Sequence, residues 1–237
     1  MLKIKNFTKS YDGKKNAVDN LSLNIERGQI VAFIGPNGAG KTTTLKAICG
    51  IINYNEGEIL INDIDVAKNP LEAKKLIAYL PDNPDLYEHL KGIEFLNFIA
   101  NIFDVDEQQR EELIVKYTKM FNIYNNLHEP IKTYSHGMKQ KLAIVSALIH
   151  KPKLLLLDEP FTGLDPKSSY DFKQILKQMI QEGCAVLYST HILEVAEQLA
   201  TNVAIINKGK LVAYGLTDKV RGDKSLVNLF LELSENE

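Results

Sequence analysis

Residues 33–48, FIGPNGAGKTTTLKAI, set three glycines and a proline between an apolar run and a helical pattern. Few folds have a use for such a junction. It matches GxxxxGK[ST] through Gly35, Gly40, Lys41 and Thr42. The run before it, QIVAFIG, reads as a strand buried on both faces, and the residues after it read as a helix, which is the context the pattern requires. Glycines let successive backbone N–H groups turn inward as an anion nest, and the helix N-terminus adds partial positive charge. Gly35, Asn37, Gly38 and Gly40 are therefore expected to wrap a chain of phosphates, with Lys41 reaching the terminal ones. Thr42 is expected to offer its hydroxyl to Mg²⁺, and Thr43 to bond a phosphate nearer the nucleotide sugar.

Short strands dominate the first third: LKIKNF, the alternating LSLNI, QIVAFIG, GEILIND and IAYLP. From about Leu90 to His150 the apolar residues fall at helical spacing, as in Ile93, Leu96, Ile99 and Phe103. Beyond them, LLLLDEP, CAVLYSTH and NVAIIN read as buried strands separated by helices, which implies parallel βαβ units under a covered sheet. The expected organisation is one domain over 1–237. Residues 1–89 and 151–237 form an α/β core with an N-terminal antiparallel β portion, and 90–150 form a helical insertion.

The second chemical signal is the strand LLLLDE. It delivers Asp158 to the C-terminal edge of the sheet, where a carboxylate can hold Mg²⁺ through water. Glu159 then stands where it can polarise an attacking water.

Taken together, these stretches resemble an ABC-type ATPase subunit over essentially the whole length. Tyr11 resembles the aromatic that stacks on adenine. Tyr134-Ser135-His136-Gly137-Met138 resembles the LSGGQ signature, Gly163-Leu164-Asp165 the loop after the second motif, and His191 the switch histidine. The resemblance implies a RecA-like P-loop NTPase core, ATP and Mg²⁺ as ligands, and hydrolysis carried by Glu159 and His191. It implies that Ser135 and Gly137, at a helix N-terminus, bind the γ-phosphate of ATP held by a second ATP-binding subunit, identical or paralogous. It further implies a separate transmembrane permease, met beside residues 84–90 where Leu86 and Tyr87 stand in a polar loop, and a peripheral location on the cytoplasmic face of the membrane.

Two departures from the family pattern stand out. Asp82 replaces the glutamine usual after YLP. A carboxylate retains a metal-facing role but lacks an N–H₂ donor. The signature reads SHGM for SGGQ, keeping the serine and the glycine that touch phosphate. Together with acidic residues in the first loop and the tail SLVNLFLELSENE, it resembles the exporter-type branch. With that tail, no appended regulatory domain is expected.

Composition narrows the alternatives. The net charge is −2 with no long run of one sign, so nucleic acid is not an expected partner. Cys49 and Cys184 lie far apart, which supports neither a disulfide framework nor a zinc site. No apolar leader or membrane-length run is present, so service to a membrane requires another chain. Two rival readings stay open: a soluble mechanical ATPase acting on the ribosome or DNA, and a subunit that binds nucleotide without hydrolysing it.

Overall fold

The computed structural model describes residues 1–235, so of the tail only Asn236 and Glu237 lie outside the described residues. The chain opens with the antiparallel pair β1 (Leu2–Ser10) and β2 (Asn16–Ile25), then enters a second sheet as β3 (Ile30–Ile34). Helix α1 (Lys41–Ile48) leads back to β4 (Glu56–Ile61) and β5 (Ile64–Asp65), completing a sheet of order β2-β1-β4-β5. After α2 (Pro70–Lys75) and β6 (Ile77–Leu80) come three helices, α3 (Gly92–Ile102), α4 (Glu107–Met120) and α5 (His136–Leu148). The chain continues through β7 (Leu154–Asp158), α6 (Pro166–Gln181), β8 (Ala185–Thr190) and α7 (Leu193–Leu199). It ends with β9 (Asn202–Asn207), β10 (Lys210–Leu216), α8 (Thr217–Arg221) and α9 (Leu226–Glu235). The second sheet runs β10-β9-β3-β8-β7-β6, parallel except for β10.

The central strands are continuous apolar runs because both their faces are covered. Successive side chains of a strand point to opposite faces, so each strand feeds two cores. Ile30, Ala32, Leu155, Leu157, Val186 and Tyr188 meet the helices of 92–199. Val31, Phe33, Leu154, Leu156, Ala185 and Leu187 meet α1 and the antiparallel sheet. Helix α6 shows why a helix docks on one face: Phe172, Ile175, Leu176 and Met179 are buried at helical spacing. Pro166 suits its first turn, and Asp165 caps it by accepting from Ser168 N at 2.9 Å.

This register decides what meets at the sheet's C-terminal edge. Ile34 pairs with Thr190, and Asp158 pairs with Ser189. The residues that follow β3, β7 and β8 therefore open onto one place, the usual position of a ligand in an open parallel sheet.

Candidate functional site

The loop between β3 and α1 is held by close backbone approach. A Cβ on Gly40, whose φ is +108°, would lie 2.6 Å from the Ala17 carbonyl oxygen. A Cβ on Gly35 would lie 2.4 Å from the Ile206 carbonyl oxygen. Both positions exclude any side chain. Gly38, at φ +81°, has open space around it, so there the backbone angle alone favours glycine. Lys41 is buried and donates from Nζ to Gly35 O at 2.6 Å and Pro36 O at 3.1 Å. Burial pushes its ammonium below the ordinary lysine range, while the Glu159 and Asp158 carboxylates pull the other way. The lysine thus waits folded onto its own loop, its charge held near two acids.

Asp158 ends β7 and is only 4% exposed. Its carboxylate accepts from Thr42 Oγ1 at 2.7 Å and from the Ser189 hydroxyl. Ser189 Oγ in turn accepts from Glu159 N at 3.1 Å. Glu159 takes a left-handed φ of +48°, turning the chain sharply just past the strand. His191 Nδ1 lies 2.9 Å from Glu159 Oε1, pairing a carboxylate with an imidazole at the mouth of the site. A cleft of about 220 Å³ is lined by Lys41, Thr42, Thr43, Asp82, Asp158 and Glu159. A hydroxyl and carboxylates around one space are hard oxygen donors that fit Mg²⁺.

A second cleft of about 510 Å³ adjoins the first, sharing Ala17, Asn37 and Gly38 with it. Tyr11, 65% exposed, lines it. The Tyr11 hydroxyl is 3.3 Å from Thr43 Oγ1, and Lys9 Nζ stands 4.9 Å from the ring centroid. One space suits phosphates and the other offers an aromatic face.

Ser135 and Gly137 lie elsewhere. Ser135 caps α5, its Oγ accepting from Met138 N at 3.3 Å. A Cβ on Gly137 would stand 3.0 Å from the Gly163 carbonyl oxygen, so this turn packs on the loop after β7. Neither cleft is lined by Ser135 or Gly137. The structure therefore brings Tyr11, the glycine loop, Asp82, Asp158, Glu159 and His191 together and leaves the Ser135 turn outside that group.

Two contributors carry no motif in the sequence, and a third residue stands near the acids. Ser189 binds the Asp158 carboxylate and the Glu159 backbone N–H, and its signal is its register opposite Asp158. Ala17 closes the loop through its carbonyl, which no side-chain motif announces. Tyr79 has a buried hydroxyl with no hydrogen-bond partner among the described residues. Burial raises its phenol, and the Asp158 and Asp82 carboxylates add to the rise.

A parallel sheet whose strand ends carry a glycine cradle, a buried lysine and a hydroxyl–carboxylate pair defines a P-loop nucleotide hydrolase. The family model described as ABC transporter matches residues 18–162, and the chain belongs to that family as an ATP-binding, ATP-hydrolysing subunit. It is 35% identical over 230 residues to the lantibiotic transport ATP-binding protein SrtF of Streptococcus pyogenes, covering 97% of this chain and 96% of that protein. It is 32% identical to the linearmycin resistance ATP-binding protein LnrL of Bacillus subtilis, covering 94% of this chain and 73% of that one. A solved ATP-binding subunit of an ABC transporter superposes with a TM-score of 0.95 at 33% identity, over 99% of both chains. A dimeric ATP-binding cassette in a post-hydrolysis state, bound to ADP and Pi, superposes with a TM-score of 0.82 at 26% identity, over 91% of this chain and 98% of that one.

Proposed function

We propose that this subunit closes head to tail on a second ATP-binding subunit around two Mg·ATP molecules and thereby drives a separate permease in export. The observation that carries the composite site is the placement of Ser135 and Gly137, a helix N-terminus suited to phosphate that lines neither of the chain's own nucleotide clefts. A second copy facing it supplies the missing phosphate. That dimeric cassettes are among the structural neighbours supports the arrangement.

In this reading Tyr11 stacks on the base. Gly35, Asn37, Gly38, Gly40, Lys41 and Thr43 hold the phosphates. Thr42, Asp158 and Asp82 would hold Mg²⁺, which would supply positive charge to offset that of the phosphates. Glu159 accepts a proton from the attacking water, and His191, beside Glu159, orients that carboxylate and faces the terminal phosphate. Hydrolysis leaves two separate anions whose repulsion reopens the pair.

The permease reading has its own support. Tyr87 is 59% exposed and sets its ring edge-on to Phe98 at 5.6 Å. Phe98 and Ile102, one turn apart on α3, are also exposed, so the three make an apolar surface of the kind partners cover. Among the described residues no helix is long and apolar enough to cross a membrane. In this reading the crossing belongs to the permease, and the subunit sits against it on the cytoplasmic face. Transport of a lantibiotic and resistance to linearmycin, in the names of two relatives, favour outward movement.

The test is Glu159→Gln. Turnover is expected to fall at least about a hundredfold, the usual worth of a positioned base. ATP binding survives and the ATP-bound dimer accumulates, visible by sedimentation. Near-normal turnover would remove Glu159 from its role. Copurification of a polytopic membrane protein from solubilised membranes tests the permease, and recovery of ribosomes or DNA-bound factors instead would overturn it.

A further inference from the structure

The exposed segment that carries Tyr87 is bound along its continuation to the stretch that leads into Ser135. Ile131 N donates to Leu90 O at 2.9 Å, Lys132 N to Glu88 O at 3.0 Å, and Ile93 N to Leu127 O at 2.9 Å. Lys91 and Pro130 form an antiparallel bridge between them. These bonds zip 88–93 to 127–132, only three residues before the α5 cap.

Two side-chain contacts extend the zipper to the cap itself. A Cβ on Gly92 would lie 2.4 Å from the Tyr134 hydroxyl, so glycine is needed for that ring to sit there. The hydroxyl donates to Asn126 O at 2.6 Å, and burial pushes the phenol up to about 12, which keeps it a donor at neutral pH. Lys139, whose N–H bonds the Ser135 carbonyl at 3.0 Å, makes an ion pair with Glu88. Glu88 directly follows Tyr87. The lysine end of the pair is three-quarters covered, its side chain 25% exposed, which shields the interaction more than an open surface pair would be.

We propose that Glu88 and Lys139 are positioning residues. With the Gly92–Tyr134 contact they latch the Tyr87 segment to the first turn of α5, so that a partner engaging Tyr87 sets the direction in which Ser135 and Gly137 face a second copy's nucleotide. This rests on the composite site proposed above. The latch is a continuous chain of contacts, and its claim to transmit anything is a claim about coupling energy, which only paired substitutions measure.

The experiment uses the full chain carrying Glu159→Gln, alone and with Glu88→Lys, Lys139→Glu or both. ATP-dependent dimerisation is followed by sedimentation, and monomer affinity with a fluorescent ATP analogue. Each single reversal is expected to weaken dimerisation roughly five- to tenfold, the scale of turning a partly shielded attraction into a repulsion. Monomer affinity is expected to stay unchanged and the double reversal to restore dimerisation. In the nucleotide-free protein, exchange of the Met138 amide, which donates to Ser135 Oγ, should accelerate in the singles and recover in the double. Singles that dimerise like the parent, or a double that fails to recover while melting normally, would overturn the latch alone. A parent that does not dimerise with ATP would remove the composite site and the latch's role with it.

Discussion

Asp82 carries the sharpest residue-level question, because it lines the phosphate cleft where the family pattern has glutamine. It sits two residues past β6, exposed, with Asp158 on the neighbouring strand's edge. A carboxylate there adds a negative charge that a metal ion can use and that bare phosphates oppose. Removing it in Asp82→Ala should therefore lower turnover and raise the Mg²⁺ concentration needed for half-maximal rate, by about tenfold, the usual scale for losing a supporting ligand. Unchanged ATPase activity and unchanged Mg²⁺ dependence would exclude Asp82 from the metal's surroundings. The residues around it were legible to different depths. Lys41, Thr42 and Asp158 announce themselves because side-chain chemistry at fixed spacing is written in the sequence. Ala17 and Ile206 act through carbonyl oxygens that only the folded chain brings to Gly40 and Gly35.

At the scale of elements, one joint between α3 and the sheet is sensitive to pH. Phe103, at the end of α3, stacks on His150 with ring centroids 3.7 Å apart and planes 11° from parallel. His150 Nε2 lies 3.2 Å from Ile77 O at the start of β6. Burial lowers the imidazole from its ordinary 6.5, with the bond to Ile77 working against the shift. The folded state thus binds fewer protons than the unfolded chain just below that value, and stability rises with pH there. The contribution is complete above about 6.5 and is lost as the pH falls through that value toward the lowered folded one. His150→Gln, which keeps a donor for Ile77, should flatten the change in Tm between about pH 7 and 5. A slope equal to that of the parent would place the acid sensitivity elsewhere. Elements were readable in proportion to their burial. β3, β7 and β8 are buried throughout and stand out as apolar runs, whereas β10 alternates exposed and half-covered residues and escaped the sequence reading. Its order at the sheet edge comes from antiparallel pairing with β9, a tertiary fact that composition does not carry.

For the whole molecule the decisive property is what faces the nucleotide from outside. Ser135 is legible as a helix cap, and in the proposed pair it binds a phosphate that only a second copy brings. Asn37 and Ser135 are both exposed, one on the glycine loop and the other on the α5 cap. In a head-to-tail pair they come from opposite chains and approach the same triphosphate. Asn37→Cys with Ser135→Cys, in the Glu159→Gln background, should then form a disulfide between chains when ATP is present and not in its absence. The bond requires Cα atoms roughly 4.4–6.8 Å apart, so it reports close docking rather than loose association. Replacing Asn37 leaves the backbone N–H groups of the loop in place. The native thiols do not compete: Cys49 and Cys184 are buried, and burial pushes Cys184 up to about 12 and raises Cys49 as well, so neither offers a thiolate at neutral pH. Covalent dimer that forms equally with and without ATP would show an association unrelated to nucleotide. No covalent dimer in ATP would exclude closure of this chain on its own copy. Dimer that appears only with ATP would place the Ser135 turn across the interface, where phosphate binding and partner choice become one event.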